Sequence, residues 1–327
     1  MIFESLPTTP TSEELLDKAF SRAARSGRAK KGVEAQQSML QTASNILGDN
    51  LHNVVTEWPD FDHVDPFYYE LADAILREEY ASDEGVDKLR KHLSELSWAS
   101  SKTHDLGREY MGKLPNEADA ARKLRKQGFA RMGSVMNQVE DDLAAVGAAR
   151  DALKNIPDIR PGVPTVVVAG YPNVGKSSFV NAVTNANIET AEYPFTTKSV
   201  DIGHFERERV TWQLVDTPGL LDRPADERNE IEDQAVSALA HVGDVILFFL
   251  DPSGTCGYPL EDQRALRAEV AERFGDTPLV TVANKTDLDD GVEADCYMSV
   301  ETGEGVEETL DAAVEAAGYE PELPFEE

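Results

Sequence analysis

Basic residues are the scarce class in this 327-residue chain. Only 31 Lys and Arg stand against 61 Asp and Glu, a formal net charge of -30. Bulk attraction to nucleic acid is not expected from such a balance, and no DNA partner is expected. A carboxylate-rich surface of this kind fits a salt-loving (halophilic) host or an ordinary acidic protein. Cysteine is scarcer still: Cys256 and Cys296 are the two present, and neither has metal-ligand spacing. That excludes a disulfide framework and fits a reducing, cytoplasmic setting. Long apolar runs are missing too. The longest, Val245 to Leu250, falls far short of the roughly 20 residues a membrane helix needs, so no membrane role is expected. The start, "MIFESLPTTP", has no basic stretch followed by an apolar one, so no signal peptide is expected.

What the chain does have is 41% apolar residues, enough for a sizeable core. It also has an uneven charge. Residues 1–160 hold 27 acids and 21 bases, whereas residues 161–327 hold 34 acids and 10 bases. The asymmetry directs the search for a nucleic-acid-facing module to the first half. Two runs there concentrate the bases: Arg22, Arg25, Arg28, Lys30 and Lys31, then Arg122, Lys123, Arg125, Lys126 and Arg131. On an otherwise acidic protein these are either RNA phosphate contacts or solvated helix faces balancing nearby acids.

Residues 1–156 read as an all-α helical bundle. Thr11 with Glu14 forms a capping box ahead of Leu15, Leu16, Ala19 and Phe20. Apolar residues from Met39 to Trp58, from Leu89 to Leu96 and from Val135 to Val146 recur at helical spacing. Pro157, Pro161 and Pro164 then mark a linker over residues 157–164. From residue 165 to 327 the pattern alternates. "TVVVA", "VTWQLVD", "DVILFFLD", "PLVTVAN" and "DCYMSV" are near-continuous apolar runs, as in strands buried on both faces. The expectation is an α/β phosphate-loop domain with a mostly parallel sheet and a short acidic tail. Its ligand sites should lie beyond the carboxyl ends of the strands.

The motifs fall there. Gly170 to Ser177 reads G-x-x-x-x-G-K-S between a strand and a helix. The backbone of Asn173, Val174, Gly175 and Ser178 and the helix N-terminus would cradle phosphates. Lys176 would reach the β and γ phosphates, and the Ser177 hydroxyl would hold Mg²⁺. In "VDTPG", Asp216 is placed for Mg²⁺ and the Gly219 N–H for a γ-phosphate. In "NKTD", Asp287 can accept from the N1–H and exocyclic amine of guanine, which adenine cannot match. Asn284 would brace the loop and Lys285 pack along the base. In "SVETGEG", following Ser299, the N–H of Val300 or Glu301 would meet the guanine O6. In "YPFTTKS" a Thr would complete the Mg²⁺ shell only beside a γ-phosphate. Thr197 is preferred over Thr196.

Together these motifs resemble the GTPase class of phosphate-loop proteins. One feature of that class is missing: the residue after Gly219 is Leu220, where many GTPases place a water-orienting Gln. Slow intrinsic hydrolysis follows, relieved by a partner or by a potassium ion at the phosphates. Potassium-dependent GTPases often carry an Asn at the position of Asn173, which otherwise braces the turn.

The flanking residues narrow the resemblance. "GYPNVGKSSFVNAVT", "WQLVDTPGLLDRPADERNEIEDQAVSALAH" and "DPSGTCGY" are similar to the nucleolar GTP-binding protein 1 family of Obg-related GTPases, in its archaeal form. So are "LPTTPTSEELLDKAFSRAAR" and "DFDHVDPFYYELADAI" upstream. The resemblance implies a GTP-hydrolysing assembly factor for the large ribosomal subunit, with rRNA and ribosomal proteins as partners. The rival is a placeholder that binds GTP and hardly hydrolyses it, which Leu220 keeps open.

Overall fold

The computed structural model describes all residues except 1, 4, 155, 157–158, 161, 185–187, 193–198, 208, 229 and 320–327. The chain divides into two compact units. One comprises Met1–Val64 with Ile75–Lys154, and the other Asp65–Ala74 with Asn155–Glu327.

The first unit is helical throughout: α1 (Ser12–Arg28), α2 (Gly32–Thr56), the end of α3 (Pro66–Glu79), α4 (Gly85–Gly112), α5 (Ala118–Gln138) and α6 (Glu140–Leu153). The capping box forms as expected. Glu14 N–H donates to Thr11 Oγ1 at 3.2 Å, and Thr11 N–H donates to Glu14 Oε2 at 2.8 Å. Leu40, Ala43, Leu47 and Leu51 of α2 and Leu89, Leu93, Leu96 and Ala99 of α4 are all buried in the core, each large side chain contributing about 1.5–3 kcal/mol by leaving water. The two helices approach closely because Gly107 lies against Ser44. A Cβ on Gly107 would stand 2.3 Å from Ser44 Oγ.

The second unit holds one sheet. Its elements are β1 (Thr165–Ala169), α7 (Lys176–Val183), β2 (Ile188–Glu192), β3 (Ser199–Arg207), β4 (Val210–Asp216), α8 (Glu230–Leu239), β5 (Val245–Leu250), α9 (Leu260–Phe274), β6 (Leu279–Ala283), β7 (Cys296–Tyr297) and α10 (Val306–Ala317). The strand order is β2-β3-β4-β1-β5-β6-β7. The pairs β4-β1, β1-β5, β5-β6 and β6-β7 are parallel, and β2-β3 and β3-β4 antiparallel. β1 and β5 are buried along their whole length, which explains their unbroken apolar sequence.

Two features depart from the sequence expectation. The antiparallel β2-β3 edge escaped it, because β3 is not a continuous apolar run: Val200, Ile202 and Phe205 are buried, but Asp201, His204 and Glu206 interrupt them. Strands buried on both faces read as near-continuous apolar runs, and a strand interrupted by polar residues does not. The boundary also differs. The first half of α3 belongs with the second unit, where Tyr68 Oη donates to Ile159 O at 2.8 Å and Glu70 pairs with His241 at 2.9 Å. The Pro-rich segment is likewise bound into that unit. Gln213, fully buried on β4, accepts from Arg160 N–H at 2.8 Å and donates to Arg160 O at 2.9 Å. Trp212 is core as expected, stacked with Phe205 at 6.0 Å.

Candidate phosphate and base site

β1 ends at Ala169, and the chain turns at once into the phosphate loop and α7. The turn is tight enough to require Gly175, which has φ +106° and no room for a side chain. A Cβ there would stand 2.0 Å from Asn284 Nδ2. Asn284 follows β6, and its Nδ2 donates to Val174 O at 2.7 Å. Asn284 therefore ties the loop after β6 to the loop after β1. Its Oδ1 accepts from Val300 N–H at 3.3 Å, which brings the third loop, with Ser299 and Glu301, to the same place.

Lys176 opens α7 and is buried. Its Nζ donates to Gly170 O at 2.6 Å and Tyr171 O at 2.8 Å. Burial holds its pKa down, against the charges of Asp216 and Asp222. Asp216 ends β4, fully buried, with Oδ2 accepting from Ser177 Oγ at 2.6 Å. Its other oxygen, Oδ1, is buried with no hydrogen-bond partner. Burial pushes the Asp216 carboxyl pKa up, against the Ser177 hydrogen bond and the Lys176 charge. An unpartnered buried carboxylate oxygen beside a serine hydroxyl is a hard oxygen pair suited to Mg²⁺.

Asp287 is exposed one turn beyond β6, free to meet a ligand edge. Lys285 ties three residues together through its ammonium group. Its Nζ donates to Asn173 O at 2.8 Å, Asp251 Oδ2 at 2.7 Å and Thr255 Oγ1 at 2.8 Å. It thus joins the base loop to the phosphate loop, where Asn173 sits at φ +63°. Asp251 is the residue that sequence reasoning missed. It directly follows β5, has no exposed surface, and also accepts from Ser253 Oγ, Thr255 Oγ1 and Cys256 N–H. Gln263 on α9 holds the same loop through Asp251 N–H and Tyr258 O, and Tyr258 stacks on Tyr171 at 4.3 Å. The available signal was an acid at the carboxyl end of a central strand, where ligand loops gather.

The segment after β4 packs onto the phosphate loop. Leu220 is fully buried, and Leu221 O accepts from Gly170 N–H at 3.0 Å. The Gly219 N–H, expected to face a γ-phosphate, donates to Asp222 Oδ2 at 2.7 Å. Thr196 and Thr197 lie outside the described residues.

In the helical unit the two basic runs, far apart in sequence, come to one end of the bundle. Phe20 of α1 stacks on Phe129 of α5 at 4.5 Å, and Arg125 Nε donates to Gln36 Oε1 of α2 at 3.0 Å. Arg22, Arg25, Arg28, Lys30, Lys31, Arg122, Lys123, Lys126 and Arg131 are exposed. Arg125 is only half-exposed and lies over the Phe129 ring, 4.8 Å from its centroid. Burial and the neighbouring Arg122 lower its pKa.

The model of the NOG1 N-terminal helical domain matches residues 3–160, and that of nucleolar GTP-binding protein 1 matches residues 230–287. The chain belongs to the nucleolar GTP-binding protein 1 family. An uncharacterized protein of Methanocaldococcus jannaschii is 36% identical over 88% of this chain and 81% of its own length. The nucleolar GTP-binding protein 1 of Arabidopsis thaliana is 33% identical over 88% of this chain and 43% of its own. The chain thus spans less than half of that relative. A crystal structure of a nucleolar GTP-binding protein 1 from Plasmodium falciparum is 35% identical with a TM-score of 0.46, covering 50% of this chain and 90% of that one. Among the described residues no helix is long and apolar enough to cross a membrane.

Proposed function

We propose that this chain binds and hydrolyses GTP as an assembly factor for the large ribosomal subunit, its nucleotide state gating its release. The observation that carries the nucleotide part is the meeting of four separate loops at one edge of the sheet: the phosphate loop is joined to Asp216, to the Leu221 turn and, through Asn284, to Val300, with Asp216 Oδ1 left unpartnered. Ser177 and Asp216, with Thr197, would hold Mg²⁺, whose chemistry is to offset charge on the β and γ phosphates. Lys176 and the phosphate-loop N–H groups orient the triphosphate. Asp287 selects guanine by accepting two hydrogen bonds, with the Glu301 N–H on the base oxygen. Glu301 takes that role over Val300, because the Val300 N–H is engaged by Asn284. Leu220, the residue after Gly219, is apolar and buried and does not orient water. Intrinsic hydrolysis is accordingly slow, and a partner or K⁺ near Asn173 speeds it.

The ribosomal part rests on the family and on the exposed bases gathered at one end of the helical unit, a surface that fits RNA phosphates. Such a protein works in the cytoplasm. The buried Leu220 also favours a second reading, a GTP-binding placeholder with little turnover. Sedimentation with ribosomal particles in high KCl, comparing a non-hydrolysable GTP analogue with GDP, tests the proposal. Nucleotide-dependent comigration with large-subunit particles is expected. Absence of comigration in both states removes the ribosomal role. A single-turnover rate that large subunits leave unchanged and near zero replaces the switch with the placeholder.

A further inference from the structure

Asp222 is absent from the motif roles, yet it touches the site directly. The Gly219 amide has one hydrogen to give, and Asp222 Oδ2 takes it at 2.7 Å. Asp222 is held there from both sides. Leu221 O, one residue before, accepts from Gly170 N–H of the phosphate loop at 3.0 Å. Arg223, one residue after, pairs with Glu232 of α8 at 2.6 Å. The charge of Asp222 also reaches Lys176 and Asp216, so its carboxylate lies among the groups that would surround a γ-phosphate.

We propose that Asp222 is a specificity-determining residue that weights this site toward the diphosphate: its carboxylate holds the Gly219 N–H that a γ-phosphate oxygen needs, so the two compete. The inference rests on the nucleotide reading of the site. A carboxylate and a phosphate oxygen are both acceptors and both negative, so they cannot share one N–H. GDP lacks the γ-phosphate and leaves the Asp222 contact intact. GTP must displace it, which frees Asp222 and, through Arg223 and Glu232, reaches the first turn of α8. The contact is then the internal lock that triphosphate opens, and no outside residue is needed to set it.

A mere turn cap would behave differently, since losing it would affect both nucleotides alike. The test is the dissociation constants of GDP and of a non-hydrolysable GTP analogue, with Mg²⁺, for the full chain and for Asp222→Ala and Asp222→Asn. Asp222→Ala should tighten the analogue by about tenfold to a hundredfold, the weight of one charge-assisted hydrogen bond, and leave GDP within about threefold. Asp222→Asn keeps the shape, removes the charge and should gain an intermediate amount; it carries the test where Asp222→Ala fails to fold. Equal shifts for the two nucleotides, or an unchanged ratio with GDP still bound, overturn the role of Asp222 alone. Failure of the unsubstituted chain to bind either nucleotide overturns the nucleotide reading and this inference with it.

Discussion

Replacing Asp251 by Asn should cost the second unit about 2 kcal/mol at neutral pH. Asp251 has no exposed surface. Burial alone would raise its pKa, but bonds from Lys285, Ser253, the Cys256 N–H and Thr255 outweigh that and bring it from 3.8 to about 2. A group whose pKa is depressed by folding stabilises the fold above its unfolded value and loses that contribution as pH falls through the folded value. The contribution should therefore be complete above about pH 5, about half gone by pH 3, and absent below pH 2. Asn at 251 mimics the protonated acid, so the gap between the two proteins should close along the same curve. Trp212 reports on this unit, with Trp58→Phe and Trp98→Phe as background, in denaturant titrations at pH 7, 5 and 3. The reasoning fails if the gap at pH 7 is under about 1 kcal/mol, or if it stays the same from pH 7 to pH 3.

Three more outcomes are expected. Gly175→Ala places a Cβ 2.0 Å from Asn284 Nδ2 at φ +106°, so nucleotide affinity should drop at least tenfold in equilibrium titration while the helical unit melts unchanged. Charge reversal at Arg122 and Lys126, both exposed, should weaken comigration with ribosomal particles and flatten its salt dependence, leaving GDP affinity within twofold. These positions are preferred to Arg125, whose substitution would also disturb Gln36 and Phe129. The hydrolysis rate should be several-fold higher in KCl than in NaCl at matched ionic strength; equal rates discard the ion near Asn173.

The sequence alone determined most of the loops at the carboxyl edge of the sheet. A phosphate loop, a D-x-x-G turn and an N-K-x-D turn each follow an apolar run, and spacing of that kind is a local property of the chain. The helices of the first unit were equally legible, because amphipathic spacing and the Thr11 capping box act within a few residues.

What only the tertiary structure decided are the partners of polar groups. Lys285, read as a base contact, bridges Asn173 to Asp251 across 112 and 34 residues of chain. Asp251 carries no motif of its own, and its role exists only once β5 lies beside β1. The ten bases stood in two runs about a hundred residues apart, and packing of Phe20 on Phe129 brings them to one end. The first half of α3 and the Pro-rich segment join the second unit through Tyr68, Glu70 and Gln213. Local patterns specify elements because backbone hydrogen bonding and side-chain periodicity are short-range. Which buried polar group finds which partner depends on closing the chain over long separations, and a linear reading does not contain that information.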